Sequence, residues 1–148
     1  VEKAGNYNIN NCYFNNNKYS IDIRYCSGIV EYNEFNLCNY YIFYYTNCFN
    51  NEIRYNNFYN SFTGIRPINN INHINNNNFY GPAEYFIYIL VITYPYSVVS
   101  ADVNATNNYW AVDDISQYLA DAEDDPRCPY HIIYLPKLLN PVRNAGIL

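Results

Sequence analysis

The sequence predicts an all-β fold, a right-handed parallel β-helix of about four to five coils with a short C-terminal helix and strand as its cap. Three observations predict it. Phenylalanine recurs at a spacing near 22 residues, columns of similar residues travel with it, and the composition is rich in Asn and Tyr but poor in charge. The 148 residues include 28 Asn, 23 of them in positions 1–80, and 20 Tyr, with 14% charged residues and a net charge of −5. Disorder would need few aromatics and much charge. A helical bundle would be rich in Ala, Leu and Lys, and collagen in Gly. Eight basic residues spread along an acidic chain make no footprint for phosphate, so nucleic acid is not an expected partner. No apolar run reaches the roughly 18–20 residues of a membrane span.

The repeat defines the coils. Phe14, Phe35, Phe58 and Phe79 lie 21, 23 and 21 residues apart. Five residues before them stand Ile9, Val30, Ile53 and Ile74. Two before stand Cys12, Asn33, Asn56 and Asn77, and seven after stand Ile21, Ile42, Ile65 and Phe86. One coil of a parallel β-helix has about this length, because it gives a short strand to each of several sheets and coils stack about 4.8 Å apart. Leucine-rich repeats share the period but need several Leu each, and positions 1–80 contain only Leu37.

Strand side chains alternate faces, so Ile21 and Ile23 are expected inside while Asp22 and Arg24 face out. A coil cannot bury its apolar side alone, so coils share a core. Its predicted stacks are Ile9, Val30, Ile53 and Ile74; Phe14, Phe35, Phe58 and Phe79; and Ile21, Ile42 and Ile65. Asn tolerates left-handed backbone at corners, and stacked Asn side chains bond to one another. Asn33, Asn56 and Asn77 are therefore the predicted structural ladder, broken at its N-terminal end by Cys12. Tyr32 and Tyr55, each three before its anchor, make a shorter stack.

The cysteines are Cys12, Cys26, Cys38, Cys48 and Cys128, with no C-x-x-C pair. Cys26 and Cys48 stand about one coil apart and are the candidate disulfide. The other reading is a buried thiol stack. An odd count leaves at least one thiol free or joined to another chain. The chain opens Val1-Glu2-Lys3-Ala4-Gly5 with neither Met nor an apolar leader, which reads as a processed start or a fragment.

Residues 80–102 break the period. Phe86 to Ile92 is expected to be a strand, and Val103 to Trp110 one last coil. Ile115, Tyr118, Leu119 and Ala122 then follow helical spacing, with Asp113 or Asp114 as N-cap and Asp124-Asp125-Pro126 as stop. His131 to Leu135, closed by Pro136, is a final short strand. The domain reading is coils over 1–110 and a cap over 111–148, since an open solenoid end exposes core and strand edges.

Residues 103–141 resemble the ending of secreted right-handed parallel β-helix proteins with NosD-like or pectate-lyase-like repeats. That ending runs Ala-x-Asn-Asn-Trp-Trp-Gly, a short acidic helix, Asp-Asp-Pro, then a strand and Pro. Here it reads Ala105-Thr106-Asn107-Asn108-Tyr109-Trp110-Ala111, Asp124-Asp125-Pro126 and Tyr134-Leu135-Pro136, with Tyr109 replacing Trp and Ala111 replacing Gly. The Asn-Asn-x-Phe corners extend the resemblance over nearly the whole chain. It implies the fold, and it implies no single activity, because this fold carries enzymes, binding modules and structural proteins.

No converging catalytic set is legible. A glycosidase needs two carboxylates about 5–10 Å apart across the bond, whereas Glu2, Asp22, Glu31, Glu34 and Glu52 share no column, and neither do Arg24 and Arg54. The expectation is scattered surface charge and no catalytic residue. The acids of 113–125 lack a calcium-loop pattern and read as helix capping. His73 and His131 have no neighbouring ligand pattern, so no metal or cofactor is expected. Asn104-Ala105-Thr106 is the one candidate glycosylation site. The expected class is a non-enzymatic structural or surface module, extracellular or at the cell surface. Its partner is itself, or upstream coils, through the uncovered first coil with Ile9 and Phe14, giving end-to-end assembly. The alternative is a fragment that binds or processes polysaccharide, with outward Tyr rings stacking on sugar.

Overall fold

The structure is a computed structural model and describes residues 5–24, 26–44, 51–60, 62–66, 72–81, 84–89, 102–120 and 131–147. Short strands take the chain through three sheets in turn. The first coil holds β1 (Asn6–Asn10), β2 (Tyr13–Asn15) and β3 (Tyr19–Ile23). The second holds β4 (Ser27–Glu31), β5 (Glu34–Asn36) and β6 (Tyr40–Tyr44). The third holds β7 (Asn51–Arg54), β8 (Asn57–Tyr59) and β9 (Thr63–Arg66). The fourth holds β10 (Asn72–Asn75), β11 (Asn78–Tyr80) and β12 (Tyr85–Tyr88). The fifth holds β13 (Val103–Asn104), β14 (Tyr109–Trp110) and β15 (Leu119–Ala120), and β16 (Ile132–Ile133) begins a sixth. Every third strand pairs in parallel. The first sheet runs β1-β4-β7-β10-β13-β16, the second β2-β5-β8-β11-β14, and the third β3-β6-β9-β12-β15. The described residues are thus nearly all β, three parallel sheets built rung upon rung, which accords with a parallel solenoid.

The register is the one the repeat spacing demands. Ile9 pairs with Val30, Val30 with Ile53, and Ile53 with Ile74. The last three are fully buried, and Ile9, in the first coil, is half-buried. Rings of Phe14, Phe35, Phe58 and Phe79 stack nearly parallel at 4.8, 5.0 and 4.8 Å, and Trp110 continues the column 4.3 Å from Phe79. Such pairs add about 0.5–1.5 kcal/mol each beyond area burial. Ile21 and Ile23 are buried, while Asp22 and Arg24 are exposed and paired at 2.8 Å. Ile42 lies in register between Ile21 and Ile65, its side chain outside the described residues. The fourth coil corrects the column by one place, since Ile87, not Phe86, pairs with Ile65. Phe86 stands level with Gly64, where any Cβ would collide with the Phe86 carbonyl, and its ring packs against Phe79, Trp110 and Tyr118.

Two corner types recur. Between the first and second sheets, Asn11, Tyr32, Tyr55, Asn76 and Asn107 are left-handed, with φ of 53 to 58°. The ladder residue is the next one in each coil. Between the second and third sheets, Asn16, Leu37, Asn60 and Gly81 take the same conformation. Asn suits such positions. At Tyr32 and Tyr55 the rings stack at 5.3 Å, an interaction that accompanies a conformation unfavourable for a bulky residue.

The predicted cap needs correction. Residues 113–120 form no α-helix; the chain makes a single 3-10 turn at Ser116–Tyr118 and then enters β15. Asp114 Oδ1 accepts the Ser116 N–H and hydroxyl, a local turn that competes with helix, and Ile115 as N-cap makes no side-chain cap bond. The open edge of β12 then takes Leu119 opposite Ile87, and the Ile89 N–H bonds Ala120. A helix this short is marginal without tertiary support, and here the support goes to a strand. The apolar positions Ile115 and Leu119 are buried all the same. Ala122 and Asp124-Asp125-Pro126 lie outside the described residues. The final strand is β16, pairing Val103 with Ile132 and Asn104 with Ile133.

Beyond it, residues 138–146 form a strap down the outer face of the second sheet. Leu138 bridges Tyr109 and bonds the Asn108 carbonyl, and Gly146 N–H reaches Tyr55 O at 2.8 Å. No helix among the described residues is long and apolar enough to cross a membrane.

Candidate functional site

The predicted ladder is continuous and longer than three residues. Oδ1 of Asn33, Asn56, Asn77 and Asn108 accepts the backbone N–H of Cys12, Asn33, Asn56 and Asn77, at 2.9–3.0 Å. The matching Nδ2 groups donate to the carbonyls of Ile9, Val30, Ile53 and Ile74. All four Asn are fully buried, and burial without these bonds would cost each amide several kcal/mol, roughly 2–7 by transfer measures. Asn108 departs from the repeat spacing, standing 31 residues after Asn77 where the other ladder members are 21 to 23 apart. Anchored on Trp110 instead of Phe, it falls two before the ring like the others. Cys12 takes part at the bottom, its thiol donating to Asn10 O at 3.2 Å. Cys38 plays the same part at the other corner, donating to Asn36 O (3.2 Å) and Phe14 O (3.6 Å). Cys48 and Cys128 lie outside the described residues, and so does the Cys26–Cys48 pairing. At the sequon, Asn104 Oδ1 accepts from the Thr106 N–H and hydroxyl and faces Asn75 Nδ2.

The charges on the first sheet gather where scattered charge was expected. Glu31 and Arg54 share one column, each four residues before its Phe, and pair directly in register. Arg54 Nε donates to Glu31 at 2.9 Å and Nη1 to Glu52 at 2.8 Å. The Glu31 hydrogen bond raises the guanidinium pKa, desolvation opposes it, and Glu52 and Tyr55 reinforce it. The column is one of opposite charges, so neither the acids alone nor the arginines alone reveal it in the sequence. His73 pairs opposite Glu52 and Asn75 opposite Arg54. Glu52, Arg54, His73, Asn75 and Asn76 line an open cavity of about 310 Å³, at the small end of the ~300–1,000 Å³ range for ligand pockets.

One guanidinium bridges both carboxylates of this cluster. A hydrolytic pair must instead face a bond, one member protonated and the other ionised or holding water. Donors and acceptors side by side suit hydrogen bonding to a polar, uncharged surface. Among the described residues no group of three His, Cys, Asp or Glu could hold a metal ion. Asp113 and Asp114 are exposed, the latter with its pKa lowered by the Ser116 hydrogen bonds.

The second sheet presents aromatics outward. Tyr59 and Tyr80 stack at 4.9 Å, and Tyr109 tilts against Tyr80 at 5.9 Å. Burial raises the phenol pKa of both Tyr59 and Tyr80. Beside them Asn78 Nδ2 donates to Asn57 Oδ1 at 2.9 Å. Comparison with protein-family models, with curated proteins and with solved structures finds no match to the chain.

Proposed function

We propose that the chain is a right-handed parallel β-helix of the secreted repeat type its Asn-Asn corners resemble, and that it serves as a non-enzymatic extracellular structural or surface module. One observation carries the reading: the recurring residues are spent on stacking. Asn33, Asn56, Asn77 and Asn108 bond coil to coil, and Phe14 to Trp110 form one ring column. Right-handed crossovers are the near-universal choice for parallel strands. In this reading the first coil, whose Ile9 and Phe14 are half-buried while their column mates are covered, takes either upstream coils or the end of another copy. Another solenoid end stacked there covers them, and repetition of such a heterologous contact gives a filament. Electron microscopy of the purified chain tests this: filaments one solenoid wide are expected, and a dispersed monomer at every concentration overturns assembly.

The cavity at Arg54 and His73 favours a second reading, a carbohydrate-binding or polysaccharide-processing fragment. Titration with neutral and acidic oligosaccharides, with reducing and unsaturated ends assayed, separates the two. The structural reading expects neither binding nor cleavage, and release of ends by the purified chain overturns it.

A further inference from the structure

We infer that the C-terminal strap is an exchangeable interface element: the outward strip of Asn57 and Asn78, which holds residues 142–146 of its own chain, takes the same residues from a second copy, and reciprocal exchange closes a dimer. The contacts that dock the strap fall on its main chain. Asn78 Oδ1 accepts the Val142 N–H at 2.6 Å and its Nδ2 donates to the Val142 carbonyl at 3.1 Å. Asn57 Nδ2 donates to the Ala145 carbonyl at 3.1 Å, and Tyr55 O accepts the Gly146 N–H at 2.8 Å. A Cβ at Gly146 would collide with Asn57 Nδ2, and φ there is +90°, so the strip requires glycine. None of these contacts depends on which copy supplies the strap.

The connection into the strap is built to swing. Leu138 is tied to the Asn108 carbonyl, and the next three residues, Leu139, Asn140 and Pro141, are all exposed. Three residues reach about 10 Å, enough to cross to a strip lying alongside. The docked strap also leaves large apolar side chains in water: Leu135 is 60% exposed, Leu139 87% and Ile147 47%. Large apolar side chains left exposed along a bound segment are candidates for burial in a contact. A second copy seated there covers all three, and a two-fold contact does so twice. The strap lies beside the third to fifth coils, so this contact is separate from stacking on the first coil and stands or falls without it.

Complementation tests the exchange. Full-length Asn57→Ala/Asn78→Ala keeps the strap and loses the strip, whereas full-length Gly146→Val keeps the strip and blocks the strap. Each alone is expected to sediment as a monomer with a fast-exchanging Val142 amide. Mixed, they are expected to form a 1:1 dimer in which the Val142 amide of the strip-lacking copy slows at least tenfold. A mixture that stays monomeric with Val142 unprotected overturns the proposal. Since the double variant removes paired outward amides and can fail to fold, a second arm uses only an intact strip. A labelled peptide of residues 138–148 is titrated into Gly146→Val. Saturable binding that the Gly146→Val peptide does not show supports the exchange, and no binding of either peptide overturns it.

Discussion

The carboxamide of Asn56 serves three coils at once. It accepts from the Asn33 N–H and side chain, and it donates to the carbonyls of Val30 and Arg54 and to Asn77 Oδ1. Asn56→Ala orphans the buried Asn33 N–H and Val30 carbonyl, and orphaned groups cost about 1–3 kcal/mol each. A loss of about 2–5 kcal/mol in urea unfolding is expected, and a change below about 1 kcal/mol contradicts the ladder's role. Cys12→Asn is the contrast. The thiol already donates to the carbonyl two residues back, so the change should stay within about 0.5 kcal/mol. Position 56 was legible because Asn recurs two before Phe. The left-handed residue before it was not, since Tyr32 and Tyr55 occupy that place as readily as Asn11 and Asn76, and Tyr carries no signal for such backbone.

Among the elements, the ring column separates buried from terminal members. Phe58 has rings on both sides and is 1% exposed, so Phe58→Ala should cost about 3–5 kcal/mol. Phe14 has a ring on one side and is half-buried, and its truncation should cost less than half as much in the same melts. Equal losses would mean that something covers the first coil. Gly64→Ala should disrupt the pairing of β9 with β12, read as faster hydrogen exchange at Ile87, because any Cβ meets the Phe86 carbonyl. Strands β1 to β11 could be located from spacing alone. The segment 113–120 could not, because Ile115, Tyr118 and Leu119 satisfy helical spacing while Leu119 and Ala120 also fit the vacant edge of β12. Periodicity records which side chains go inside and leaves the backbone to the available edge.

For the whole molecule, three parallel sheets and a shared core follow from the repeat, and the strap does not. Residues 138–146 have no period, and their docking depends on Asn57 and Asn78, which look like ordinary outward positions in the sequence. The outer face of the second sheet is also expected to contribute to the alkaline limit of stability. Tyr59 and Tyr80 hold their protons more tightly folded than unfolded, because burial disfavours phenolate. Their contribution is complete below the ordinary phenol pKa of about 10 and is lost as pH rises through the higher folded values. Thermal melts across that window should fall more steeply for the native chain than for Tyr59→Phe/Tyr80→Phe, and parallel curves would show that these phenols do not set the limit.

The ladder has a direction. Every amide in it reaches back to the coil made before its own, from Asn33 to Cys12 and from Asn108 to Asn77. On the ribosome, a freshly emerged coil therefore waits with a bare corner N–H until its successor, 21 to 31 residues later, supplies the acceptor. Translation and folding advance the same way, each new turn latching the last. Erosion from the C-terminus takes the Oδ1 acceptor from the corner N–H of the coil left behind, whereas erosion from the N-terminus leaves every remaining corner N–H latched and takes only the carbonyl that the next Asn Nδ2 uses.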